Sequence, residues 1–522
     1  MKRGIARRAG FFLLGVTGLA LLQSCGGATA KEEPQLDLAA EVLPYQPPQI
    51  EALAVLPGAP PLPASTQALL ELRRAFFARD FVYLDGALKT QHEDFLEGRI
   101  DYSVADRFVA NLQDTQLAGI DACAEWLRAM PASYVAHWVC GAMWQKGAWL
   151  ARGTKYSSEV THAQFTIMYE RLRRSNELLA KALTLDDKPI EALSELASNY
   201  HMVGNDEAAE QYLRQAEAIK PQYLAVHDTR LNFSLPQWGG SDEQVKAAFE
   251  RAKAAGLDQD SQLNLEDIYI ARPGKMTNPG AARAYWEKVI REHPTRRRLS
   301  SLLKDFMWME NWKDALPVAD RLIAEYPDET DAYYQRARAN EHLGRIPEAW
   351  NDYLMAAAMG HELALQELIS AHIRGGLGVT ERSSDAVVEF CRYGATLGHG
   401  VGANCIGSLF FEGESAGIKF RRDPAQALAW HLVGARGGHY NSQYDLGWLL
   451  FTGRGGSVEP DAARRLGIFW MRRAAEQGHH FAKRKLEENK IELSEEPATE
   501  NEWDLNVGSV LSTLYALIQI WI

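Results

Sequence analysis

The sequence predicts an all-α protein, an α-solenoid of antiparallel helix pairs stacked side by side. Three observations carry that prediction. From Ser65 onward, apolar residues recur at helical spacing and few stretches alternate as a strand would. Short Gly, Pro or Asp breaks separate these helical patterns. Above all, the pattern repeats. Gly-His occurs at Gly360-His361, Gly398-His399, Gly438-His439 and Gly478-His479, at spacings of 38, 40 and 40 residues. One helix pair cannot bury its own apolar face, but a stack of them buries a continuous one. The chain has 522 residues, 46% of them hydrophobic and 24% charged. That is globular composition with material for a large core. The formal charge is −12, and an acidic surface of this kind repels nucleic acid and anionic lipid.

The elements follow in chain order. Lys2, Arg3, Arg7 and Arg8 precede an apolar core at residues 11–22. Twelve residues are too few to cross about 30 Å of hydrocarbon but suit a signal-peptide core. Leu22-Gln23-Ser24-Cys25-Gly26 then resembles the lipobox of bacterial lipoproteins. The resemblance implies that residues 1–24 are removed, that Cys25 is lipidated on sulfur and that its new amine is acylated. Several acyl chains make a stable anchor, at about 0.8 kcal/mol for each buried CH₂. Gly26, rather than Asp, at the second mature position implies the outer membrane by similarity to enterobacterial sorting. The expected location is the periplasm, anchored to the outer membrane by N-terminal lipid. Residues 25–64 follow as a tether, with eight prolines between residues 31 and 64 that exclude helix and central strand.

Residues 65–260 form a less regular helical region. It holds Gly141-Ala-Met-Trp-Gln-Lys-Gly-Ala-Trp-Leu-Ala-Arg-Gly153 and Leu235-Pro-Gln-Trp-Gly-Gly-Ser241. Together these resemble a bacterial domain family of unknown function, a resemblance that supplies no mechanism. The tryptophans read as core, Arg152 as a stacking or ion-pair residue beside Trp149, and Ser241 or Asp242 as a helix N-cap. Within this region, residues 190–223 space Leu193, Leu196, Ala197, Tyr200, Gly204, Ala209, Leu213, Ala216 and Pro221 in a manner similar to a tetratricopeptide unit. Residues 261–360 continue with tetratricopeptide-like repeats. Tyr333, Ala337, Gly344, Ala349, Tyr353 and Ala356 make the best match there, while Phe306-Met-Trp-Met-Glu310 lacks the turn glycine. Residues 361–490 resemble Sel-one-like (SLR) repeats. Their signature is Gly398, His399, Gly438, His439, Gly478 and His479, with Trp430 and Trp470 forty residues apart. The histidines follow helix-ending glycines and read as caps or packing residues. The resemblance implies a right-handed superhelix with a concave binding surface. Residues 491–522 pass from an acidic linker to an amphipathic helix, expected to cap the end of the solenoid, with docking on another protein as the alternative.

Four cysteines remain after Cys25. Separations of 17 and 14 suit Cys123–Cys140 and Cys391–Cys405, with free buried thiols as the alternative. The search for catalytic chemistry finds no HExxH, CxxC, phosphate loop or GxSxG. His92-Glu93-Asp94 continues wrongly for a zinc helix, and Ser301-Leu-Leu-Lys304 lacks the companion motifs of the penicillin-binding enzymes. No cofactor or metal is expected. Chaperone-type tetratricopeptide domains hold a C-terminal carboxylate with Lys and Asn. Ser194 and Ser198, or Tyr334 and Arg338, stand at those positions, which argues against that mode. The expectation is a non-catalytic, membrane-anchored scaffold or adaptor whose partners are envelope proteins. The alternatives are a cell-wall or peptide hydrolase with activity in residues 65–260, or a peptidoglycan-binding module.

Overall fold

A computed structural model describes residues 55–491, apart from 101–103, 113–115, 154–159, 161, 237–238, 271–278, 381–382, 416–417, 420–421 and 455–459. The signal peptide, Cys25, Trp238 and the C-terminal segment lie outside the described residues. Among those described are 23 α-helices and one two-residue β-ladder, Glu414–Ser415 with Ile418–Lys419. The chain opens with α1 (Ala64–Ala78), α2 (Phe81–Leu96), α3 (Val104–Leu112) and α4 (Gln116–Ala129). Helix pairs follow: α5 (Tyr134–Arg152) with α6 (His162–Ala182), α7 (Ile190–Met202) with α8 (Asp206–Ile219), and α9 (Leu224–Ser234) with α10 (Asp242–Ala254). Next are α11 (Gln259–Ile270) and α12 (Pro279–Glu292). The later pairs are α13 (Arg296–Trp308) with α14 (Trp312–Glu325), α15 (Thr330–His342) with α16 (Ile346–Ala358), and α17 (Glu362–Arg374) with α18 (Ser384–Thr396). Then come α19 (Gly400–Glu412) with α20 (Pro424–Arg436), α21 (Tyr440–Phe451) with α22 (Pro460–Glu476), and finally α23 (His480–Glu488).

Each second helix packs on the first helix of the next unit, and units also touch through their first helices. Thus α7 lies on α5, α9 on α7, α15 on α13, α19 on α17 and α21 on α19. Small residues set these distances. Ala315, Ala319, Ala337, Ala349 and Ala356 are completely buried. A Cβ at Gly447 would lie 2.8 Å from the Gly467 carbonyl, so α21 and α22 meet backbone to backbone. Trp430 and Trp470 are buried beside such contacts. At the turn where the sequence lacks glycine, Glu310 itself takes the left-handed conformation, φ 54°, which costs a non-glycine residue free energy.

Arginines stitch successive units. Arg230 and Arg251 share Glu210 and Glu217 across α8, α9 and α10. Arg298 of α13 grips Asp267 of α11 at 2.7 and 3.1 Å, both side chains buried. Arg336 of α15 spans Asp352 and Asp320. Removing one partner from a buried pair such as Arg298–Asp267 strands a charge, at a cost of about 3–5 kcal/mol.

The start of the chain packs against units far along the sequence, which its repeat pattern does not announce. The row of turns joining second to first helices holds Asp328, Gly360 and Gly398, and α1 lies across it. Ser65 donates to Asp328 at 3.2 Å, and Arg107 pairs with the same carboxylate at 2.8 Å. Leu70 meets Gly360 and Phe77 meets Gly398. Arg73, buried, donates to the Leu397 carbonyl at the end of α18 (2.6 Å) and to the Asn111 carbonyl of α3. It therefore satisfies carbonyls that helix ends leave unpaired. The tether boundary needs correction here. Leu56 is 1% exposed in the core that includes Tyr353, Leu354 and Leu365, and Ala59 and Leu62 pack against it, so the chain is already seated on the fold at Leu56.

Cys123 and Cys140 are bonded between α4 and α5, and Cys391 and Cys405 between α18 and α19, with Cα separations of 5.5 and 5.9 Å. Replacing Cys391 and Cys405 together by serine should lower stability by about 3 kcal/mol, read from denaturant unfolding. Gly398 has φ 74°, and a Cβ there would strike the Phe77 ring. Gly398→Val should therefore cost more than about 1 kcal/mol. Adding Phe77→Ala should recover only the steric part, and unchanged melting of the single variant would contradict the placement.

Candidate functional site

The repeat histidines are local devices. His361, His439 and His479 are N-caps of α17, α21 and α23, and their Nδ1 atoms accept from the N–H groups of Ala364, Ser442 and Ala482 at 3.3, 3.4 and 3.1 Å. Accepting requires a neutral ring, and at His439 and His479 the surroundings favour it. Burial, helped by His479, pushes His439 down to about 4, and burial also lowers His479. His399 departs from the pattern. Its side chain does not cap α19; instead its Nδ1 lies 3.4 Å from Arg73, and Glu362 accepts the Val401 N–H at 2.9 Å in its place. Burial and then the Arg73 charge hold His399 well below the ordinary imidazole value. The fourth signature histidine thus serves the contact between α1 and the repeats.

A second group of side chains forms a strip across α15. Trp312 stacks on His342 with centroids 4.0 Å apart and planes at 1°. The Arg338 guanidinium lies 5.9 Å from the centroids of both Trp312 and Tyr334. Tyr334 stacks in turn on His361 at 4.2 Å. Asp331 sits 3.7 Å from His361 and 3.9 Å from Lys304. Burial works to raise the Asp331 pKa, but hydrogen bonds from His361 and Gln335 and the Lys304 charge hold it below its ordinary value. Arg338 donates to Gln335 at 3.2 Å, and among the described residues no carboxylate oxygen lies within 4 Å of it. A half-buried guanidinium backed by two rings has donors left for a ligand. Sequence reasoning noted Tyr334 and Arg338 only as positions where a clamp is missing. Their separation of four residues, one helical turn, is the signal that they share a face, and His342 continues the step; Trp312 and His361 join them only in three dimensions.

Exposed apolar residues follow the same layer. Between residues 279 and 491, the exposed large apolar side chains are Trp308, Leu363, Tyr440 and Phe481, at 78, 51, 41 and 54%. All four stand on first helices, of α13, α17, α21 and α23.

The N-terminal region is different. His92 of α2 and Tyr134 of α5 both bond the buried Glu191 carboxylate of α7, at 2.9 and 2.8 Å. Burial works to lower His92, but Glu191 and Asp186 outweigh it and raise its pKa. The group is sealed, with His92 only 2% exposed, so it ties three helices together and meets no substrate. Arg152 lies 5.9 Å over Trp149. Ser241 caps α10, accepting the Gln244 N–H at 3.2 Å. A groove of about 610 Å³ lies between α10 and α11, lined by Val245, Phe249 and Leu263 with Lys246, Glu250 and Glu266. Lys304 of the SxxK string faces Asp331. Among the described residues no cluster of His, Cys, Asp and Glu could hold a metal, and no helix is long and apolar enough to cross a membrane.

Stacked helix pairs with a turn signature at this period define an α-solenoid repeat protein. Residues 406–439 and 441–479 each match the Sel1 repeat, and residues 68–207 match a domain of unknown function, DUF4034. The chain therefore contains Sel1 repeats and, ahead of them, a DUF4034 domain. Its structural neighbours include a protective antigen of uropathogenic Escherichia coli displaying an SLR fold. That match has 16% identity and a TM-score of 0.36, covering 84% of this chain and 97% of that one. A Sel1 repeat protein from Oxalobacter formigenes matches at 16% identity and a TM-score of 0.32, over 70% of this chain and 90% of that one. No curated protein matches the chain.

The neutral histidines make stability depend on acid. A folded pKa near 4 for His439 lies below the unfolded value of about 6.5, so its contribution is complete above the unfolded value. It is lost progressively as the pH falls from about 6.5 toward about 4. His439→Asn keeps a capping acceptor without the titration. Melting temperature measured across that window should fall less steeply in the variant; parallel curves would refute the assignment.

Proposed function

We propose that the protein is a non-catalytic scaffold lipoprotein of the bacterial envelope that binds other proteins along its first-helix layer. The observation that carries this reading is the confinement of exposed Trp308, Leu363, Tyr440 and Phe481 to that layer, beside the Arg338 strip. Aromatic residues and arginine are the side chains that dominate binding energy at protein interfaces. A hydrolase would need a solvent-open acid, base or nucleophile; in the N-terminal region His92 with Glu191 is closed to water, and the carboxylate left for that reading is the half-buried Glu195, pushed up to about 7 by burial. Two disulfides in the folded chain favour an oxidising compartment, in keeping with the lipobox at Cys25.

Capture from envelope extract with the intact protein tests the scaffold. One stoichiometric protein partner is expected, with recovery reduced at least about tenfold by Arg338→Glu, the effect of a truncated interface hot spot. Retention of sacculi without any protein would instead favour glycan binding. For location, Cys25→Ser should move the protein from the membrane to the soluble fraction. An unchanged membrane fraction would count against lipidation.

A further inference from the structure

The last described unit leaves a face that a following element is built to cover. Helix α23 buries Ala482 and Leu486 and turns Phe481 outward. Phe481 lies 6.4 Å from Tyr444 and 6.0 Å from His479, and Tyr440 adjoins the same imidazole at 5.5 Å. Cations frame these rings. Arg484 sits 4.9 Å over Phe481, and Lys485 sits 5.1 Å over Trp448. Lys483 and Lys490 are exposed on the same short helix and its end. Glu488 pairs with Arg484 and Lys485, at 3.6 and 2.7 Å, and Glu487 is exposed beside it, so four cations against two carboxylates leave the surface aromatic in the middle and net basic toward the end of the chain.

The sequence after Ile491 has the complementary order. Glu492, Glu495, Glu496, Glu500, Glu502 and Asp504 come first, with no Lys or Arg anywhere after Lys490. Val507, Val510, Leu511, Leu514 and Ile518 then share one face at helical spacing. Length permits the return. Thirteen residues from 492 to 504 reach at most about 43 Å when extended, whereas nine-residue α23 is about 14 Å long. Being attached, the segment also acts at an effective concentration of about a millimolar, which a separate molecule rarely reaches.

We propose that residues 492–522 fold back within the same molecule, the acidic stretch on Lys483, Arg484 and Lys490 and the apolar stretch on Phe481, Tyr440 and Tyr444. The tail is a built-in occupant of the terminal aromatic face. The tail then covers Tyr440 and Phe481, and the partner surface proposed above is left to Trp308, Leu363 and the Arg338 strip, so either proposal can fail without the other.

The test uses the full chain carrying Phe481→benzoylphenylalanine, irradiated and mapped by mass spectrometry. The expected product is an intramolecular cross-link to a peptide within residues 505–522. A covalent dimer would make a second copy the occupant, and the absence of any link to the tail would leave the face without this one; either overturns the proposal. Independently, Leu511→Asp with Leu514→Asp should accelerate amide exchange in α23 by about tenfold without altering exchange in α15. Unchanged exchange in α23 would also overturn it.

Discussion

A helix pair has apolar flanks that it cannot hide alone, and each pair here is completed by the next one along the chain. The approach distance at that joint decides the rest. At α18 and α19 it is set by Gly394 and Gly402, and a Cβ on Gly402 would lie 2.5 Å from the Cys391 carbonyl. Alanines do the same work between α14, α15 and α16. Where helices come this close, a single added methyl meets backbone, and interiors packed to crystal density yield little. Polar stitching is then placed where the packing leaves room, as in Arg298 with Asp267 and Arg336 with Asp352.

Function is separated from that machinery by protonation as well as by position. Histidine is the side chain best suited to proton transfer near neutral pH, yet the buried histidines of the repeats are held neutral. His431 is pushed to about 3 by burial and the nearby His439, and His439 to about 4. His439 accepts a hydrogen bond at a helix start, whereas His431 is buried within α20. The first-helix layer keeps Trp308 and Leu363 exposed and Arg338 half-buried, among charged side chains such as Lys304 and Glu341.

Much of this was legible in residue spacing. A forty-residue recurrence of Gly-His, with Trp430 and Trp470 in the same register, announces stacked pairs because only repetition of one packing solution produces it. Ser241 as a cap and Glu310 in place of a turn glycine were readable from local chemistry. The exchange at His399 was not, since it depends on Arg73, and nothing nearby in sequence reports a guanidinium arriving from α1. Leu56 likewise sits among prolines that suggest a spacer, and its burial depends on Leu354 and its neighbours. The Trp312–Arg338–Tyr334–His361 strip assembles residues from two helices and a turn, so only its Tyr334–Arg338 step shows as a period.

The seat of α1 on the later turns carries a cost in time. Arg73 bonds Leu397 across 324 intervening positions. A strictly linear array gains structure locally and can begin at any unit, but this contact is non-local and must wait for chain closure. During synthesis, α1 emerges long before its seat exists. Phe77 and Leu70 are meanwhile without their final partners, and so in need of protection from aggregation. The molecule's earliest residues are among the last to find their place.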